Sequence, residues 1–231
     1  MSALSKIEDL VKRYEKNPIL RGLVQLIPFG IGSGAEVALL TTVQNIRINR
    51  LKTFFDELAL GKIELSPELL ENEDFLHAYF STIKAAANSR RREKIKLFSR
   101  LFKNSFKTEM VDSIDDYEEL LKIVDELSYR EILELCSLHK LEVKYRNVEA
   151  KADWYRTEMF WDNYISSLVT ELGIRKDEVF DNLQRLQRTG CYELYDSFWG
   201  NDKKFGHLTP SFYRLVELLE VGASGENDDI I

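Results

Sequence analysis

Three histidines, two cysteines and a few tight clusters of like side chains are the parts of this 231-residue chain whose types could do chemistry. A metal needs His, Cys or carboxylate ligands at short spacing. His77, His139 and His207 lie far apart in the chain, each among apolar or aromatic neighbours. Cys136 and Cys191 have no CxxC partner and read as reduced structural thiols, which suits an intracellular, cytoplasmic setting. No nucleophile elbow, HExxH or Ser/His/Asp signature occurs. Acidic groups such as Glu71, Glu73 and Asp74, or Asp115-Asp116, stand where helix N-termini are expected and read as caps rather than acid/base pairs. The expectation is therefore no catalytic residue, no metal and no cofactor.

Anion binding is the chemistry with more candidates. Gly30-Ile31-Gly32-Ser33-Gly34 precedes a helix, as a phosphate-cradling loop would, but it follows no strand, lacks Gly-Lys-Ser/Thr and has Glu36 close by. A turn that lets helices pack closely fits better. Arg90, Arg91 and Arg92 form a second candidate, for an anion or for contact with an acidic body of the same chain. The net charge of -7 is unevenly distributed, with +1 over residues 1–46, +5 over 47–107 and -13 over 108–231. A general nucleic-acid binder would not carry that balance. Trp154, Trp161 and Trp199, with Tyr155, Tyr192, Tyr195 and Tyr213, suit core packing, and any that are exposed would mark a partner surface.

These side chains must be positioned by helices. Ser5 with Glu8 reads as a capping box for a first amphipathic helix, and Asn17-Pro18 opens a second. Gly22–Val43 concentrates apolar residues, glycines and Pro28 around one charge. Its uncharged run, residues 22–35, is shorter than the ~20 residues that a spanning helix needs. It is expected to form a helix–break–helix at 18–45, either a buried core hairpin or a conditional membrane or partner contact. Leu23, Leu26, Ile27, Phe29, Val37 and Leu40 are the candidate residues for such a membrane or partner contact. Its second arm should run on to Gly61 as a helix of about 27 residues. The pattern from Asn72 to about Phe106 favours one continuous or gently kinked helix.

Ser113 with Asp116, and Ser128 with Glu131, restart helices further on, while residues 142–156 read equally as helix or loop. A helix from Trp161 stops at Gly173, and another stops at Gly190. Cys191–Tyr195 and Phe205–Leu208 read as a strand pair, and Thr209-Pro210 opens a last helix. The segment 222–231 is acidic and expected to be disordered. The predicted fold is mainly α: an N-terminal antiparallel helical bundle, residues 1–110, and a C-terminal domain with one small β-hairpin, residues 111–221.

From LGIRKDEVFDNLQRLQRTGCYEL and GHLTPSFYRLVELL the C-terminal half resembles a winged helix-turn-helix, over residues 128–221. That resemblance implies a nucleic-acid contact by Arg175, Lys176, Arg185 and Arg188 on its second turn helix, with Lys203 and Lys204 on the wing. Asp177, Glu178 and Asp181 on the same helix oppose it. The middle, EKIKLFSRLFKNSF followed by DDYEELLKIVDELSYREILELCSL with its Leu127-Ser128 and Glu131, resembles bacterial abortive-infection alpha-type helical proteins. This implies a role in phage exclusion. The expected function is a non-enzymatic effector or adaptor in anti-phage defence, acting on other proteins encoded nearby or on further copies of itself. A DNA-binding regulator is the alternative.

Overall fold

In the computed structural model of the chain, the described residues are 3–27, 37–60, 67–107, 113–195 and 205–219. Among them, ten α-helices and one antiparallel hairpin give the mainly α fold that the periodicity predicts. No described helix is long and apolar enough to cross a membrane. The chain divides into two compact units, 1–124 and 125–231. The division falls later than the expected 110 because the intervening helix packs on the first unit. Tyr117 is fully buried there, with its hydroxyl 2.5 Å from Thr82 Oγ1 and its ring 5.6 Å from that of Phe106.

The first unit holds α1 (Ala3–Arg13), α2 (Pro18–Gln25), α3 (Val37–Leu60), α4 (Glu73–Asn88), α5 (Arg92–Lys107) and most of α6 (Ile114–Glu126). Helix α1 begins ahead of the expected Ser5 cap, since Ala3 and Leu4 are themselves good helix formers. Asn17 caps α2 as expected, its side chain accepting Leu20 N–H at 3.1 Å with Pro18 in the first position. Asn72 does the same for α4. Phe54 and Phe55 of α3, Phe75 and Tyr79 of α4, and Phe102 of α5 are all fully buried. Each such side chain contributes about 1.5–3 kcal/mol by leaving water. Arg100 Nε bonds Glu57 Oε1 at 2.7 Å, satisfying a carboxylate that this packing would otherwise strand.

The continuous helix expected from Asn72 to Phe106 is not formed. Helix α4 ends at Asn88, Ser89 is extended, and α5 starts at Arg92. Arg50 Nη1 donates to the carbonyl of Ala87 at 2.8 Å, satisfying a carbonyl of the last turn. The arginines therefore follow a helix C-terminus, where cations are favoured, as well as preceding an N-terminus, where they are not.

The second unit holds α7 (Tyr129–Tyr145), α8 (Asp153–Thr170), a 3-10 turn over Lys176–Glu178 leading into α9 (Val179–Gln187), β1 (Tyr192–Leu194), β2 (Gly206–Leu208) and α10 (Pro210–Leu219). Ser128 and Glu131 make the expected capping box at α7. The stretch 142–156 resolves into the end of α7, a short loop and the start of α8, which begins well before the expected Trp161. Gly173 and Gly190 close helices with φ of 64° and 70°, a region that a side chain disfavours. Strands β1 and β2 pair Tyr192 with Leu208, Glu193 with His207 and Leu194 with Gly206. Leu135, Leu138, Phe160, Tyr164, Leu168, Leu186 and Phe212 make the core of this unit. The expected tail, 222–231, lies outside the described residues.

Candidate functional site

The second unit contains a cleft of about 380 Å³. One wall is the last turn of α7, with Glu142, Val143 and Arg146. A second is the first two turns of α8, with Asp153, Arg156, Thr157 and Phe160 repeating at helical spacing. The hairpin contributes Tyr195, His207 and Leu208, and α10 contributes Tyr213. This is at the small end of the ~300–1,000 Å³ range of ligand pockets.

Its polar groups are tied in a definite order. Glu142 Oε1 accepts the Leu208 N–H at 3.0 Å, and Oε2 accepts the Tyr213 hydroxyl. Burial raises the carboxyl's pKa, against the lowering effect of those two bonds. Arg156 donates Nη1 to Asp153 Oδ1 at 2.8 Å and Nε to the Val148 carbonyl at 3.2 Å. The Thr157 hydroxyl donates to the Asp153 carbonyl at 3.3 Å and lies 3.5 Å from Tyr195 Oη. The His207 ring stacks on Tyr195 with centroids 4.4 Å apart. Its Nε2 lies 3.9 Å from Glu193 Oε2, while its Nδ1 is buried without a hydrogen-bond partner.

Large apolar side chains stand exposed on the same elements. Trp154 stacks on Tyr155 at 3.6 Å, and both are more than a third exposed, as are Val143, Val148, Met159 and Tyr213. His139 lies edge-on to Tyr213 at 5.5 Å, which brings it into the same neighbourhood. His77 lies in the first unit, 2.5 Å from Glu118 Oε1. Among the described residues no group of His, Cys, Asp and Glu is arranged to hold a metal. Cys136 and Cys191 are free and buried, and burial raises both thiol pKa values, that of Cys136 to about 12.

The residues singled out in the sequence do not converge on this cleft. Leu23 is fully buried, Ile27 is nearly so and Leu26 is half-exposed. Phe29 lies outside the described residues, and Val37 and Leu40 belong to the start of α3. Arg90, Arg91 and Arg92 are exposed at the α4–α5 junction. Of the candidate nucleic-acid contacts, Arg175 pairs with Asp177 at 2.7 Å and sits 3.7 Å from Glu178, while Arg188 is bound to Glu131. Lys176 and Arg185 are exposed, and Lys203 and Lys204 lie outside the described residues.

Glu142, Arg146 and Arg156 were missed because they fall in the stretch whose periodicity did not choose between helix and loop. The alternation of aromatic and arginine residues in Tyr145-Arg146 and Trp154-Tyr155-Arg156 is the signal that marks it, since that pairing is enriched where proteins bind other molecules. No family model matches the chain, and neither a curated protein nor a solved structure is significantly similar to it.

Proposed function

We propose that the chain is a non-enzymatic effector or adaptor that acts through protein contacts, with the aromatic rim of the second-unit cleft as its contact surface. The observation that carries this is that Trp154, Tyr155, Met159, Val143 and Tyr213, all large, apolar and exposed, stand on the elements that build one cleft, Val143 and Tyr213 lining it and the other three on further faces of α8. Scattered exposed apolar residues are ordinary; a group of aromatics with arginines among them is what a partner surface requires. The likeness to abortive-infection alpha-type proteins supports a bacterial, cytoplasmic, anti-phage setting. The test is phage plating on cells expressing the chain, with Met159→Asp and Tyr155→Asp variants whose folding is checked by circular dichroism. Loss of protection in folded variants is expected; full protection by both would rule the rim out.

A DNA-binding regulator is supported by the element order of the second unit, three helices, a hairpin and a closing helix. The ion pairs of Arg175 and Arg188 with acidic groups of the same unit weaken it, because they spend the charge that phosphates would need. Binding to duplex DNA at low salt, measured by fluorescence anisotropy, decides between the two.

A further inference from the structure

The hydrogen-bonding groups that line the second-unit cleft are unevenly committed. Its carboxylates are spent: Glu142 on the Leu208 N–H and the Tyr213 hydroxyl, Asp153 on Arg156. The Thr157 hydroxyl is spent on the Asp153 carbonyl. One lining side chain is not. The Arg146 guanidinium makes no hydrogen bond or ion pair with another described residue, while its backbone N–H bonds the Val143 carbonyl. The uncommitted permanent charge at the cleft is thus positive. The remaining walls, Val143, Phe160, Leu208 and the Tyr195–His207 stack, are apolar or aromatic.

We propose that this cleft binds a small organic anion, a carboxylate or phosphate carried on an aromatic or aliphatic body, held by Arg146 with the body against Phe160, Leu208 and the His207 ring. Guanidinium recognises both oxyanions through paired N–H groups, and the walls supply burial for a body that a bare anion lacks. The site shares Val143 and Tyr213 with the protein-contact surface, but Trp154, Tyr155 and Met159 of that surface are not among the residues lining the cleft, so the two can be tested apart.

The full-length protein is titrated with phenylacetate, with its neutral counterpart phenylacetamide, with phenyl phosphate and with inorganic phosphate. Heat of binding and the imidazole NMR signals of His207 are the readouts. Phenylacetate or phenyl phosphate should bind saturably and move the His207 signals, and whichever binds more tightly identifies the oxyanion. Phenylacetamide and inorganic phosphate should each bind about tenfold or more weakly, for want of charge and of body respectively. Arg146→Gln should weaken the organic anion by a similar factor while leaving the unfolding midpoint in place, because the Arg146 guanidinium bonds no described residue. Equal binding of acid and amide, unchanged binding in Arg146→Gln, or no saturable binding of either organic anion overturns the proposal. Met159→Asp should leave probe binding intact, so loss of phage protection in that variant bears on the contact surface alone.

Discussion

Arg188, which caps the C-terminus of α9, donates to both carboxylate oxygens of Glu131, Nη1 to Oε1 at 3.0 Å and Nη2 to Oε2 at 3.2 Å, so the end of one helix is tied to the capping box of another. Burial tends to raise the Glu131 pKa, but Arg188 and the Ser128 amide and hydroxyl outweigh it and hold the value below 4.5. A lowered folded value means that the contribution is fully present above pH 4.5 and is lost as pH falls through the folded value. Arg188 is 43% exposed and Glu131 only 11%, which puts the pair between surface and buried cases. Arg188→Ala should cost about 1–2 kcal/mol in urea unfolding at pH 7 and little below pH 4. Unchanged stability with lost duplex binding would instead assign Arg188 to a nucleic-acid face.

Glu134, on the same helix, behaves oppositely. It is 1% exposed and its Oε2 has no hydrogen-bond partner. Burial first, and repulsion from Glu131 second, raise its pKa from 4.5 to about 7, against the pull of Arg130 and Arg185. Since the folded state holds the proton more tightly, its contribution to stability is greatest below pH 4.5, declines between 4.5 and 7 and is level above. At about 1.4 kcal/mol per tenfold change in proton affinity, the loss above pH 7 is about 3 kcal/mol. Glu134→Gln should therefore flatten the pH dependence between 5 and 8 and stabilise the protein at pH 8 by about 1–3 kcal/mol. A variant less stable than wild type at pH 8 would show that the carboxylate is needed.

What the sequence made legible depended on how local each cause was. The Asn17-Pro18 start, the Ser128–Glu131 box and the Gly173 and Gly190 stops were read correctly because each rests on contacts within a few residues. The α4–α5 break was not, because Arg50, from a distant helix, bonds the last turn of α4 and the local pattern runs through unbroken. The cleft was illegible for the same reason. Glu142 meets Leu208 and Tyr213 from more than sixty positions away, and only the hairpin brings them together.

Gly206 is the position on which that hairpin most depends. A Cβ there would lie 2.0 Å from Tyr192 Oη, and Tyr192 is 2% exposed, so the ring has little room to withdraw. Gly206→Ala should destabilise the second unit by about 1–3 kcal/mol by overpacking. The Tyr192 hydroxyl is itself buried without a partner, so Tyr192→Phe should be neutral or slightly stabilising in thermal unfolding. A large loss on Tyr192→Phe would mean that this hydroxyl has a partner in solution.

In the first unit the Tyr79 hydroxyl donates to the Leu23 carbonyl, anchoring the end of α2 to α4. Leu20, Leu23 and Val24 are essentially without solvent contact, so the first arm of the apolar segment is part of the core. Leu23→Ala should cost about 2–5 kcal/mol, the loss that a buried leucine leaves behind as a cavity. Tyr79→Phe should cost only about 1 kcal/mol, because the Leu23 carbonyl also accepts the Leu26 N–H at 3.2 Å. A membrane role would require this arm to leave the core first, exposing the same leucines to lipid. Wild-type protein should therefore fail to float with anionic vesicles at neutral pH. Flotation of the wild type under those conditions would show that the packing of Leu20, Leu23 and Val24 is given up readily, and that the segment acts as a stored anchor rather than as core.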